Sequence, residues 1–194
     1  RSSFLDNRVE LTANIFYTDI DGLQLLERVE FAPDLFGSVV RNAESGETYG
    51  LELALNANVT SWLDVSGSLG LVETEIVEFS EAPGVEGNEL ERAPGVTANL
   101  NADITPLENL SFGASVTYTD GYFSAFDNDP LELTYSRTLV DLRVAYQVLP
   151  NVEVYGAANN VFDERQLTEI FNAGANFGST FTPQEFVGGV RVSF

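Results

Sequence analysis

The chain has 194 residues, with 9 basic against 30 acidic residues, a formal net charge of −21 and no histidine. Such an acid excess argues against a nucleic-acid partner, because phosphate binding requires clustered Lys or Arg. The lack of cysteine and histidine excludes disulfides, thiol nucleophiles, Cys/His zinc sites and histidine-based triads. No carboxylate pair is placed by its neighbours in an apolar pocket, so we expect neither an enzyme nor a bound cofactor.

The start of the chain carries no methionine and none of the basic and apolar regions of a signal peptide. We therefore expect a mature or truncated segment of a longer protein. No apolar run approaches the roughly 20 residues of a transmembrane helix, whereas a transmembrane β-strand needs only about 9–11 residues. The sequence excludes helical spanning and leaves a membrane-spanning sheet open.

Alternation of apolar and polar residues is the dominant pattern along the chain, and it is clearest from Val140 to Val148, where Asp141 and Arg143 interleave. Similar segments begin, in chain order, at Val9, Leu51, Leu63, Val96, Leu110, Val152 and Phe186. No stretch shows the period of an amphipathic helix. The pattern predicts an all-β chain of about eight antiparallel strands.

The connections between these segments alternate in length. Short turns are predicted at 60–62, 106–109 and 150–151, and long loops at 31–39, 73–94, 120–134 and 162–183. This arrangement is typical of an outer-membrane barrel, with short periplasmic turns, long extracellular loops and, here, a C-terminus on the periplasmic side. A soluble antiparallel sandwich shows the same alternation, but an apolar set diluted by Ala and Gly favours the barrel.

Several short motifs follow one another in a fixed order. They are the run around Tyr17-Thr18-Asp19, then Asn42-Ala43, Gly50-Leu51-Glu52-Leu53, Pro94, Asn160-Val161-Phe162-Asp163 and the terminal Phe194. In this order they resemble the C-terminal barrel segment of TonB-dependent outer-membrane receptors, and the resemblance covers the whole chain. Two positions depart from the family pattern: no tyrosine follows Asp163 near Gln166, and the proline-arginine pair before the last strand is Pro183-Gln184.

The resemblance implies that Arg1–Phe194 are the C-terminal part of a transmembrane β-barrel domain, the last eight of about 22 strands around a plug. It implies a location in the outer membrane of a Gram-negative bacterium and energised uptake of a scarce nutrient such as an iron-siderophore complex. TonB would then act on a plug region that is not in this chain. The alternatives are a self-contained eight-stranded structural or adhesive barrel and a passive porin.

Charged positions on the polar sides of the strands are expected to face the lumen or the plug, because buried charges must be paired or solvated. These candidates are Arg41, Glu52, Asp103, Asp141, Arg143 and Arg191. Asp141 and Arg143 alternate on one strand, so we expect them to share a face and to lie close enough to pair.

Aromatic residues in the long loops are candidates for stacking on a small nutrient ligand. They are Phe31, Phe36, Tyr122, Phe123, Phe126, Phe171, Phe177 and Phe181. An interfacial girdle is the alternative for Tyr122. Few arginines lie near the loops, namely Arg28, Arg92, Arg137 and Arg165, so a strongly anionic ligand is disfavoured.

Two acidic segments are expected to be structurally ordinary. The seven glutamates between Glu73 and Arg92 predict a solvated loop, with divalent-ion binding or bridging to lipopolysaccharide as the alternative. Asp127-Asn128-Asp129 lacks the glycine and distal glutamate of an EF-hand loop and predicts a turn.

The last strand ends in a recognisable pattern. Val190, Val192 and Phe194 resemble the insertion signal that the barrel assembly machinery reads. Simple contacts with lipid are the alternative role for these residues.

Overall fold

The computed structural model describes residues 2–6, 8–33, 35–172 and 176–194. Within these ranges the regular structure is eleven β-strands and two three-residue 3₁₀ turns, at Pro83–Val85 and Pro130–Glu132. The strands are β1 (Ser2–Phe4), β2 (Val9–Ala32), β3 (Leu35–Thr60), β4 (Leu63–Glu78), β5 (Val96–Leu107), β6 (Leu110–Thr119), β7 (Arg137–Leu149), β8 (Val152–Asn159), β9 (Leu167–Asn172), β10 (Asn176–Thr180) and β11 (Glu185–Val192). No helix in the described ranges is long and apolar enough to cross a membrane.

Nine of the strands form one antiparallel sheet in the order β1-β2-β3-β4-β5-β6-β7-β8-β11. The remaining two, β9 and β10, pair as a separate hairpin inserted between β8 and β11. Among the described residues no pairing joins β1 to β11, so the sheet is open. The all-β antiparallel prediction is confirmed, and an eight-stranded barrel closed on itself is not what these strands form.

Strand register sorts the residues into two faces. Across five neighbouring strands, one row of partners is Leu55, Gly67, Leu100, Val116 and Val140, and the adjacent row is Asn56, Ser66, Asn101, Ser115 and Asp141. Because successive side chains of a strand point to opposite sides, all rows of the first kind share one side of the sheet. We call it the apolar face, and the opposite side the polar face.

Connections of different length separate at the two ends of the sheet. The short-turn end holds the tight turns after β3, β5 and β7, with backbone hydrogen bonds such as Thr105 N to Trp62 O at 2.8 Å closing the neighbouring register. The loop end holds segments 79–95, 120–136 and 160–184 and the turn between β2 and β3. The predicted alternation of short and long connections is present from β3 onward, whereas β2 and β3 are joined at the loop end by a tight turn.

Three predicted loop boundaries are wrong. The loop predicted at 31–39 is instead a tight hairpin, since β2 runs to Ala32 and β3 starts at Leu35. The loop predicted from Glu73 starts only after Glu78, where β4 ends. The last loop contains β9 and β10. In each case backbone pairing continues beyond the apolar band, through residues that show no regular alternation of apolar and polar types.

Residues change sides where β2 leaves the apolar band. Gly22 adopts a φ of +68°, a left-handed conformation that glycine accepts without a Cβ clash. On the side of Gly22 nearer the short-turn end, Tyr17 is exposed on the apolar face. On the side nearer the loop end, Leu25 is only 4% exposed. Leu25 packs in a buried cluster with Ala43, Ile76, Phe79 and Phe126. The densest packing of the described residues is therefore at the loop end.

From the two faces we expect the same substitution to have a large effect at one position of β7 and a small effect at the adjacent position. Val144→Arg places a charge on the apolar face and is expected to lower the free energy of unfolding in a lipid bilayer by about 2–4 kcal/mol. Ala145→Arg places it on the polar face and should change that free energy far less. Denaturant titration of the intact protein in vesicles measures both, and equal losses would contradict the assignment of faces.

Candidate ligand-binding site

A cavity of about 740 Å³ opens at the loop end. Its walls are the end of the β2–β3 hairpin, loops 79–95 and 120–136, and strand β9. Phe36, Phe126 and Phe171 supply aromatic surface, and Arg41 and Arg92 are the basic side chains among the described lining residues. The volume lies within the range of small-molecule pockets, roughly 300–1,000 Å³. We call this space the loop cavity.

A small hydrophobic cluster forms the floor of the loop cavity. The Phe79 side chain is fully buried, and its ring lies 5.8 Å from that of Phe126 at an interplanar angle of 49°. Ile76 of β4 and Ala43 of β3 are buried against them. Tilted aromatic packing and apolar burial hold loops 79–95 and 120–136 to the sheet. The floor of the cavity is therefore held in place by the protein's own contacts.

Loop 79–95 is anchored by side chains that accept from its backbone. Glu86 Oε1 accepts from Phe79 N at 3.0 Å, and Glu44 Oε2 accepts from Ser80 N at 2.9 Å. Thr74 Oγ1 accepts from Leu90 N at 2.9 Å. The predicted solvated acidic loop thus folds back on β4, and within the described residues no group of three or more acidic side chains gathers at metal-binding separations.

Asn128 joins loop 120–136 to loop 79–95. Its Oδ1 accepts from Glu89 N at 2.8 Å, and its Nδ2 donates to Glu89 O at 3.0 Å. Asn88 adds a bond from Nδ2 to Phe126 O at 3.0 Å. The side-chain amide of Asn128 therefore bonds both the N–H and the C=O of Glu89, as the backbone of a neighbouring strand does. The segment Asp127-Asn128-Asp129, predicted to be a turn, positions Asn128 for this contact.

Strand β9 is held over the cavity by loop 120–136. Tyr122 donates its hydroxyl to Thr168 O at 2.6 Å, and Ile170 N donates to Ser124 Oγ at 2.9 Å. Arg92 forms an ion pair with Glu169. These contacts close the side of the cavity that faces the β9–β10 hairpin.

The basic side chains of the lining both have carboxylate partners. Arg41 Nε lies 2.6 Å from Glu27 Oε2, and Arg41 Nη1 lies 3.4 Å from Glu81 Oε2. Glu91 is half-buried beside Arg92, and burial, the largest effect, raises the pKa of its carboxyl above the ordinary value near 4.5. The positive charges of Arg41 and Arg92 are therefore already balanced by carboxylates.

Most of the aromatic candidates lie in or beside the loop cavity. Phe36, Phe126 and Phe171 line it, and Tyr122 and Phe123 belong to the loop that forms one wall. Phe31 lies over Gly37 of the β2–β3 hairpin. Phe181 stacks on Arg137, whose guanidinium carbon is 4.6 Å from its ring centroid and 5.5 Å from that of Tyr122. The side chain of Phe177 lies outside the described residues.

Five of the six charged candidates lie on the polar face of the sheet. Glu52 accepts from Asn14 Nδ2 at 3.3 Å, and Arg191 lies 2.6 Å from Glu153. Arg143 pairs with Asp103 across β6, passing over Gly113, where a Cβ would meet its side chain. Asp141 instead accepts from Asn160 N at 2.8 Å, so the expected Asp141–Arg143 pair is wrong.

Arg41 departs from that set. It lies on the upper part of β3, above Gly46, and its guanidinium belongs to the loop cavity. The change of sides near Gly22 explains the difference, because odd-numbered residues of β2 and β3 above that level turn toward the loops.

Asn160 holds a loop in place, a structural role that the sequence motif around it did not predict. The residue is buried and left-handed, with φ 49°. Its Oδ1 accepts from Glu164 N at 2.8 Å, and its Nδ2 donates to Glu164 O at 2.9 Å and Thr182 O at 3.2 Å. Asn160 therefore clamps the two ends of segment 160–184 together.

Removing the Asn128 side chain is expected to release loop 79–95. Asn128→Gly keeps the left-handed backbone, with φ 53°, and deletes both hydrogen bonds to Glu89. At about 1 kcal/mol per bond, the Glu89 amide should exchange its hydrogen about tenfold faster or more. Hydrogen exchange read by mass spectrometry checks this, with the Gln147 amide of the short-turn end as internal control. An unchanged exchange rate of the Glu89 amide would refute the role of Asn128 in holding loop 79–95.

Comparison with known proteins gives consistent relatives. A family model described as "TonB dependent receptor-like, beta-barrel" matches residues 1–161. The "Probable TonB-dependent siderophore receptor PiuA" of Acinetobacter baumannii is 26% identical over 177 residues, covering 87% of this chain and 22% of the relative.

Solved structures share the fold. The crystal structure of the siderophore receptor PiuA from Acinetobacter baumannii superposes with a TM-score of 0.79 at 22% identity, over 98% of this chain and 27% of that one. The ferric yersiniabactin uptake receptor FyuA from Yersinia pestis gives 0.79 at 17% identity, over 96% and 28%. The chain thus spans about a quarter of the length of the relatives it matches. Since the family match covers most of its residues, the chain belongs to the TonB-dependent receptor β-barrel family.

Proposed function

We propose that the full-length protein is a TonB-dependent outer-membrane receptor that takes up a scarce nutrient, an iron-siderophore complex. The observation that carries the proposal is the loop cavity of about 740 Å³, built on a sheet with one apolar and one polar face. Family membership and the siderophore receptors among its relatives support it. Capture and transport, with no chemical conversion of the ligand, is the role that this arrangement serves.

The two faces and the two ends give the proposed orientation. The apolar face contacts lipid, the loop end is extracellular, and the short-turn end with the C-terminus is periplasmic. The polar face, including Glu52, Asp103, Asp141, Arg143 and Arg191, lines the barrel interior against a plug encoded outside this chain. A groove of about 420 Å³ beside Asp103 and Arg143 offers polar contacts to that plug.

Iron uptake tests the proposal directly. In an iron-limited host, deletion of the gene should abolish accumulation of radiolabelled iron from at least one ferric siderophore, and complementation should restore it. The same loss should follow deletion of TonB, because a plugged barrel needs energy to open. Uptake that persists without TonB would identify a passive porin instead.

We further propose that Val190, Val192 and Phe194 act as the signal read by the barrel assembly machinery. Val190 and Val192 alternate on the apolar face of β11, 62% and 46% exposed, and Phe194 follows the strand with its side chain fully exposed. Another protein can bind such a strand through main-chain hydrogen bonds and can recognise its alternate apolar side chains and the terminal aromatic ring in pockets.

Deleting Phe194 should lower the amount of folded receptor in the outer membrane at least severalfold. Phe194→Tyr keeps the aromatic ring and is the matched control, expected to assemble normally. Heat-modifiable migration in gels distinguishes folded from unfolded barrel. Normal assembly of the deletion variant would leave these residues with lipid contact as their only role.

A further inference from the structure

The loop cavity carries a negative charge excess that bears on which ligand it accepts. Among the residues that the structure describes, six carboxylates and two arginines line it, a formal excess of four negative charges. The acidic members are Glu27, Glu81, Glu91, Asp127, Asp129 and Glu132. They come from β2, loop 79–95 and loop 120–136, so the excess surrounds the cavity.

Neither arginine of the lining is available to balance an anionic ligand without losing a partner. Arg41 is shared between Glu27, at 2.6 Å, and Glu81, at 3.4 Å. Arg92 is paired with Glu169 of β9, and the same contact holds β9 over the cavity. A ligand that drew either guanidinium away would leave a carboxylate unpaired and would loosen a wall of the site.

The remaining lining surface suits an uncharged or cationic body. The rings of Phe36, Phe126 and Phe171 belong to the lining, and aromatic rings attract cations. Burial already raises the pKa of Glu91, so a further negative charge placed beside it meets both repulsion and poor solvation.

Ferric chelates fall into charge classes set by their donor groups. Three dianionic catecholates around Fe³⁺ leave the complex triply negative, whereas three monoanionic hydroxamates leave the metal centre neutral. Resting on the uptake function proposed above, we propose that the loop cavity selects an uncharged or cationic ferric chelate of the hydroxamate class and rejects triply anionic tris-catecholates.

Binding of three probes to the purified full-length receptor tests the selectivity. The probes are ferrioxamine B, a cationic hydroxamate chelate, ferrichrome, an uncharged one, and ferric enterobactin, a tris-catecholate. At low salt at least one hydroxamate chelate should bind about tenfold more tightly than the catecholate or better, and the gap should narrow as salt screens the carboxylates. Tighter binding of ferric enterobactin at low salt would overturn the selectivity.

A single-charge variant ties the selectivity to this cavity. Asp127→Asn removes an exposed cavity carboxylate and keeps an oxygen for the Asp129 N–H. It should strengthen ferric enterobactin binding about threefold relative to ferrichrome binding. Glu108→Gln, at the short-turn end, removes the same charge far from the site and should alter neither. An equal effect of both variants would attribute the result to net charge and overturn the assignment to the cavity.

The outcomes separate this inference from the function on which it rests. If none of the three chelates binds, the hydroxamate selectivity is overturned, whereas the uptake function stands or falls separately with the iron-accumulation assay of the deletion strain. If ferric enterobactin alone is bound and transported, uptake stands and only the charge selectivity is overturned.

Discussion

Backbone pairing in a single register governs where every side chain of the sheet points. In a bilayer an unpaired N–H or C=O costs several kcal/mol, so the strands must stay hydrogen-bonded along their whole membrane-spanning length. A slip of one residue would exchange the two faces. The row Leu100–Val116–Val140 would then turn inward, and Asp141 and Arg143 would turn into lipid. The alternation of residue types and the ladder therefore specify each other.

The same ladder extends beyond the apolar band and builds the platform for the loops. β2 and β3 remain paired up to Ala32 and Leu35, and β4 reaches Glu78. Lipid no longer imposes alternation at this level, and Gly22 allows the side chains to change sides. Apolar residues such as Leu25 and Ile76 then bury themselves under loops 79–95 and 120–136. The loop cavity exists because these loops are packed on strands and do not hang free in solvent.

Sequence reasoning reached the parts of this structure that depend on local pattern. The alternation from Val140 to Val148 sufficed for β7 and for its two faces. It did not reveal that Arg143 pairs with Asp103, because that partner lies across a strand, and the path over Gly113 depends on register. Segment 31–39 of the β2–β3 hairpin was predicted to be a loop because it lacks alternation. Contacts such as Asn128 with Glu89 join positions 39 residues apart and leave no trace in spacing.

The hydrogen bonds of the Asn160 side chain fix the base of the last long connection. These bonds hold Glu164 and Thr182 together, and Asp163 adds a contact from Gln184 N at 3.2 Å. These contacts hold the residues after β8 close to those before β11, so the pairing of the two strands does not depend on the residues between them. Exchange of the chain between these ends should therefore alter the wall of the cavity while leaving the pairing of β8 with β11 in register. Glu164 and Thr182, the two contacts of Asn160, are the natural boundaries for such a loop exchange.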